Sequence, residues 1–279
     1  MELKSILVTG ASGGIGRATV EALARDGHQV FAGMRNPSGL FDPLPSVTEV
    51  QLDVTDRASI VASRNAIESA TGALDGLVNN AGIIVQGPIE LVTPEEWHRQ
   101  FEVNVFGPIL VLQEFLPLIR SRPGRIVNVS APTARIAIPY MAPISASKAA
   151  LSSLSNALRI ELAPWGVPVS VIEPGSTETD IFNKAADDAQ RTLVALAPDR
   201  LRPYQRQMEA VAAASAKQKL DKVAPVAAAI RNALLDRRPR RRYTVGSART
   251  LAMLTKMPAG VRESLIASNF GLSKIALEP

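Results

Sequence analysis

The sequence contains no cysteine, which removes disulfide frameworks, thiolate metal sites and cysteine nucleophiles from consideration. Histidine is nearly absent too. His28 and His98 lie far apart, each reads as a lone surface side chain, and no metal site is expected. No run of about 20 uninterrupted apolar residues occurs, so no membrane span is expected. The first residues, Met1-Glu2-Leu3-Lys4-Ser5, lack a basic segment followed by a long apolar one, so no secretory signal is expected. These absences make a cytoplasmic protein the default. Disorder is not indicated either: hydrophobic residues make up 46% and charged residues 20% of 279 positions, enough to bury a sizeable core.

What the chain does have is a small basic excess, a net charge of +5. Much of it sits in residues 237–242, Arg-Arg-Pro-Arg-Arg-Arg. Such a run either meets an anionic partner or decorates a solvated helix end, where cations complement the dipole. No aromatic side chain interleaves with these arginines as a stacking platform requires. The run therefore reads as a solvated helix end before a short strand at 243–246, and no nucleic acid partner is expected.

Apolar runs alternate with helical patterns. Strands are expected at 6–8, 30–32, around 50–52, 74–78, 125–129 and 167–172. Helices are expected at 15–25, 57–69, 94–119 and 145–162, with a last one around Leu265. This β-α-β alternation implies an α/β fold of three layers. Its core is a doubly wound, seven-stranded parallel sheet of Rossmann type with helices on both faces. No repeat and no Gly/Ser linker divides the chain, so residues 1–279 read as one domain. Residues 176–219 interrupt the alternation with an Ala-rich, polar, helical insertion of the kind that forms lids.

The first strand ends in Thr9-Gly10-Ala11-Ser12-Gly13-Gly14-Ile15-Gly16, and a helix opens there. Gly10 allows a tight turn. Gly14 and Gly16 let backbone and helix approach closely, and the N–H groups of the helix start can face a pyrophosphate. Later segments follow in order: Asp53-Val54-Thr55, Asn79-Asn80-Ala81-Gly82, Val103-Asn104-Val105, Ser145-Ala146-Ser147-Lys148, and Pro174-Gly175 with Thr177 and Thr179. Together these resemble the short-chain dehydrogenases/reductases over nearly the whole chain. The C-terminal part is similar to members acting on steroid, retinoid or other apolar alcohols, such as the 17β-hydroxysteroid and retinol dehydrogenases. The resemblance implies cofactor contacts from Gly10, Ser12, Gly14, Ile15, Gly16, Asp53, Val54, Asn80, Lys148, Pro174, Gly175, Thr177 and Thr179. Cofactor choice follows from charge. The second strand ends in Met34-Arg35, where NAD enzymes usually place a carboxylate for the ribose 2′-hydroxyl. A guanidinium at Arg35 suits a 2′-phosphate instead, so NADP(H) is expected over NAD(H).

The resemblance breaks at the reacting centre. It implies catalytic roles for Asn104 and Lys148. The family also carries a tyrosine four residues before the lysine and a serine at the preceding strand end. Here those positions hold Ile144 and Ala131. A positioned general acid contributes about 10²–10⁴-fold, roughly 3–5 kcal/mol of barrier. Three readings stay open. Tyr140, Thr133 or Ser130 takes over for a redox reaction; the site runs a non-redox reaction such as cyclisation or isomerisation; or the protein binds the cofactor without chemistry. Ala131, Thr133 and Ile144 are the expected substrate contacts. A small apolar substrate is expected, with Ile181, Phe182, Leu193 and Met208 of the insertion as further lining. Trp97 and Phe101 read as packing or as a subunit contact, and the family's pairing of the 94–119 and 145–162 helices implies a homodimer or homotetramer.

Overall fold

The computed structural model describes residues 3–194 and 197–275. Seven strands form one parallel sheet in the order β3-β2-β1-β4-β5-β6-β7. They are β1 (Ser5–Thr9), β2 (Gln29–Met34), β3 (Val47–Gln51), β4 (Gly76–Asn79), β5 (Arg125–Val129), β6 (Val169–Pro174) and β7 (Arg242–Val245). The central strands are short Val, Ile and Leu runs buried on both faces, as parallel strands covered by crossover helices must be. Helices α1 (Gly14–Arg25) and α9 (Ala224–Leu235) cover one face of the sheet, where Val20, Leu23, Val226 and Ile230 join Ile6 and Val30 in one core. Helices α2 (Arg57–Thr71), α4 (Gly107–Ser121) and α5 (Ala142–Glu161) cover the other, where Ile60, Phe115, Ile119 and Leu158 meet Leu7, Leu77 and Ile126.

Boundaries shift by two to three residues where strand pairing, not apolarity, sets the end. The third strand starts at Val47, because Val30 pairs with Val47 and Met34 with Gln51. The fourth starts at Gly76, opposite Ile6 and Arg125, and the sixth runs on to Pro174 opposite Val245. The long helix expected at 94–119 is α3 (Pro94–Phe101) followed by α4, joined by a π-turn at Glu102–Phe106. This stretch, Pro94–Ser121, is long and apolar enough to cross a membrane, and half of its most apolar part is buried within the protein.

The insertion consists of α6 (Ile181–Val194), α7 (Pro198–Leu201), a 3₁₀ turn at Arg202–Tyr204 and α8 (Gln205–Ala216). Two further helices, α10 (Ala248–Leu254) and α11 (Ala259–Asn269), close the chain. The arginine run follows α9 as expected, but part of it is built into the sheet: the Arg240 carbonyl accepts from Ser170 Oγ, and Arg242 pairs with Glu173.

Candidate functional site

The β1–α1 loop is shaped by contacts that leave no room for side chains. Gly10 has φ +63°, and a Cβ there would lie 2.8 Å from Ala81 Cα. A Cβ on Gly16 would run into the Gly10 carbonyl, and one on Gly14 would lie 2.5 Å from Thr179 Cγ2. The loop is thus clamped between the segment after β4 and the segment after β6. Asn80 Nδ2 donates to the carbonyls of Thr9 and Gly10 at 3.0 and 3.1 Å, and Thr9 Oγ1 accepts from the N–H groups of Asn80 and Ala81. The amide of Asn80 therefore shapes the loop. Helix α1 has no side-chain cap and no acidic residue in its first turn, so its positive end faces outward beside exposed Ser12 and half-buried Ile15. That end suits an anion.

At the end of β2, Met34 is buried and Arg35 is exposed. Beyond it the backbone N–H groups of Ser38, Gly39 and Phe41 all donate to Glu49. Burial alone would raise the Glu49 carboxyl, but these donors hold it below its usual range. Asp53 Oδ1 accepts from both the N–H and the hydroxyl of Thr55, a local turn, while Val54 packs against Gly107 at the start of α4. On the far side Thr177 Oγ1 donates to the Gly175 carbonyl, and Thr177 bridges to Asp221. Gly175, after buried Pro174, abuts Ser247 and Asp221 too closely for any Cβ.

Between these two walls lie the side chains expected to carry chemistry. Lys148 is buried, donates to the Val129 carbonyl at 2.8 Å, and burial lowers its pKa to about 8. Asn104 sits in the π-turn. Its Oδ1 accepts from Ile83 N at 2.9 Å, and its Nδ2 donates to the Ile83 carbonyl at 3.0 Å. A Cβ on Gly82 would lie 3.3 Å from Asn104 Oδ1 and 3.6 Å from Lys148 Nζ, so these three positions converge. Gln100, four residues before Asn104, was missed by the sequence reading. It grips the same segment through Val85 N and the Ile83 carbonyl, and donates to Ser147 Oγ of α5. The i, i+4 spacing on one helix face was the available signal.

Ser130 is engaged with Ser152 Oγ and the Lys148 carbonyl. Ala131 leads into a 3₁₀ turn at Pro132–Ala134. Ile144 is buried in one apolar cluster with Ile84 and Ala185, and Met141, Ile181 and Phe182 pack against that cluster, so α6 helps to close it. Leu193 lines a small cleft with Gln86, Pro88 and Thr192 instead, and Met208 lies on α8 outside the apolar cluster at Ile144. Trp97 and Phe101 make a tilted ring contact, with centroids 6.3 Å apart and planes at 35°. Tyr140 has φ +62°, a left-handed conformation costing about 1–3 kcal/mol in a non-glycine residue. Its carbonyl accepts from Gly87 N, and burial raises its phenol pKa. Glu173, also missed, is fully buried just before Pro174 and is held by Arg135, Arg242 and Thr244. A lone carboxylate inside an apolar strand was its signature. Among the described residues no three His, Asp or Glu side chains gather as a metal site.

The glycine loop, convergent Asn104 and Lys148, and sheet order agree with a family model described as short chain dehydrogenase, which matches residues 4–190. The chain belongs to the short-chain dehydrogenase family. Among its relatives is 3-amino-tetrahydro-pyrrolizinone reductase of Xenorhabdus hominickii, 39% identical over 208 residues, covering 74% of this chain and 73% of that protein. Another is 11-beta-hydroxysteroid dehydrogenase type 2 of Oryctolagus cuniculus, 34% identical over 286 residues, covering 96% of this chain and 70% of the relative. The solved structure of a short chain dehydrogenase from Burkholderia cenocepacia in complex with NADP superposes with a TM-score of 0.76 at 27% identity, covering 95% of this chain and 98% of that one. Within the short-chain dehydrogenase family the seven-stranded parallel sheet is the expected Rossmann-type α/β architecture, and it is the one found.

Proposed function

We propose that this protein is an NADP(H)-dependent short-chain dehydrogenase/reductase acting on an apolar alcohol or ketone, with Ala131 and Ile144 in the places of the family's serine and tyrosine. The observation that carries the reading is the convergence of Gly82, Asn104 and buried Lys148 below a glycine loop that leads into an uncapped helix start. When bound, the cofactor would give a hydride to a ketone or take one from an alcohol. The chain's own residues bind and orient it. Gly10, Ser12, Gly14, Ile15 and Gly16 give the pyrophosphate a close, positive approach. Arg35 pairs with the 2′-phosphate, Asp53 and Val54 border the adenine end, and Asn80 holds the loop. Lys148, Pro174, Gly175, Thr177 and Thr179 frame the nicotinamide end.

The substrate side is built from Ala131, Thr133 and Ile144, with Tyr140 at the edge as a half-buried acid. The apolar packing of Ile84, Ile144 and Phe182 suits a hydrocarbon body, in line with the steroid-named relative. In this reading residues 1–279 act as one domain, 176–219 as a lid, in a cytoplasmic homodimer or homotetramer without nucleic acid. The second reading, a non-redox enzyme or a regulatory cofactor-binding protein, is favoured by one observation: Ile181, Phe182 and Ala185 of the insertion share one apolar cluster with Ile144.

Calorimetric titration tests the cofactor half. NADPH is expected to bind more tightly than NADH, and Arg35→Asp to invert that order. Equal affinities in the parent protein would remove the assignment.

A further inference from the structure

We infer that the hydroxyls of Thr133 and Ser145 together hold the single oxygen of a neutral, otherwise apolar substrate. This rests on the functional reading above and adds to it a second polar contact, Ser145. The Oγ atoms of both residues are buried and have no hydrogen-bond partner. Burying a hydroxyl unpaired costs about 1–3 kcal/mol, so orphans of this kind are few and call for an explanation.

Their placement supplies one. Ser145 follows Ile144, and Thr133 lies two residues after Ala131, so each stands beside a position where the family's hydroxyl is missing. Helix geometry brings the two segments together. Ser145 and Ser152 are seven residues apart on α5, about 20° from the same angular position. Ser152 Oγ meets Ser130 Oγ at 3.0 Å at the end of β5. Two turns nearer the start of α5, the same face therefore looks toward the Pro132–Ala134 turn, against which α5 packs. Two other serines of α5 bond back to their own helix: Ser147 to the Ile144 carbonyl and Ser155 to the Leu151 carbonyl. Ser145 does not; only its backbone N–H reaches Met141.

Two hydroxyls suit one oxygen. A ketone accepts from both, and an alcohol accepts from one and donates to the other. Arg135, the cation next along this segment, is committed to Glu173, and Lys148 Nζ donates to the Val129 carbonyl, so the pair itself offers an anion no charge. The pair thus gives orientation and discrimination, as polar groups placed in an apolar site do.

The test uses the full chain saturated with NADP+, which leaves no hydride to reduce a ketone, the variants Thr133→Val, Ser145→Ala and the double variant, and a panel of cyclic ketones of increasing size headed by 2-tetralone, each with its parent hydrocarbon, tetralin for 2-tetralone. Affinities are read by calorimetry. The double variant is expected to lose roughly tenfold or more in ketone affinity. Hydrocarbon affinity should stay within about twofold and NADP+ affinity should be unchanged, which also reports that the fold is intact. Equal losses for ketone and hydrocarbon, no loss for either, or a parent protein that binds NADP+ but none of the ketones would overturn the inference while leaving the cofactor assignment standing. Failure of the parent protein to bind NADP+ would overturn the functional reading and this inference with it.

Discussion

Lys148 shows how one residue couples burial to function. Its folded pKa, about 8, lies below the ordinary value of 10.5 because burial disfavours the ammonium. Below pH 8 folding must take a charge out of water, at a cost on the order of 3 kcal/mol. Between about pH 8 and 10.5 the unfolded chain binds more protons than the folded one, so this cost fades as pH rises. Lys148→Met should therefore be more stable than the parent at pH 7, less about 1 kcal/mol for the Val129 carbonyl it leaves unpaired. That advantage should vanish by pH 10. Urea unfolding at both pH values checks this; a constant difference would mean that the buried lysine keeps its ordinary pKa in the folded state. The proposed reading of positions 131 and 144 makes a second test. If they stand in the places of the family's serine and tyrosine, Ile144→Tyr with Ala131→Ser should raise NADPH-dependent reduction of apolar ketones by about 10²-fold or more, and each single change should do less, since such groups act as a unit. Loss of NADPH absorbance gives the rate. Vigorous turnover by the parent, abolished by Tyr140→Phe, would instead place the acid at Tyr140.

At the scale of elements, the insertion is tied down at both ends. Its base is closed where Asp221 N donates to the Ser176 carbonyl, Glu178 N donates to the Asp221 carbonyl, and the Asp221 carboxylate accepts from the N–H and hydroxyl of Ser247. Its outer part is latched to the segment around Glu90. Tyr204 donates to the Glu90 carboxylate at 2.6 Å, Arg200 donates to the Glu90 carbonyl at 3.0 Å, and Arg99 pairs with Asp188 of α6 at 2.9 Å. These bonds are largely exposed, so each is worth about 1 kcal/mol or less. Glu90→Gln with Tyr204→Phe should speed amide hydrogen exchange in α6 and α8 about fivefold and leave the central strands unchanged. Uniform acceleration across the sheet would show that the latch supports the whole fold. The insertion's helices were legible from composition, but their bonds to Glu90 join residues more than 100 positions apart, a distance no local pattern encodes. The same holds for the π-turn. The 94–119 periodicity announces a helix; that it loosens at Asn104 follows from the grip of Asn104 and Gln100 on Ile83.

For the whole molecule, strand order reverses on either side of β1, with β2 and β3 to one side and β4 to β7 to the other. At such a switch point the crossovers leave in opposite directions and open a crevice at the strand C-termini, where ligands of α/β sheets bind. The glycine loop, Asn80, Ser130 and Pro174 all sit at that edge. By itself the sequence determined the strands as short apolar runs, the helices by period, the glycine loop, and the order of motifs that names the family, because each is a local chain property. It also determined that positions 131 and 144 carry no hydroxyl. Only the tertiary structure decided which polar atoms are already engaged and which are free. Asn80 turns out to hold the loop, Glu173 to be buried between two arginines, and Thr133 and Ser145 to lack partners. The physical reason is that hydrogen bonding and desolvation depend on which groups meet in space, and those neighbours come from distant parts of the chain.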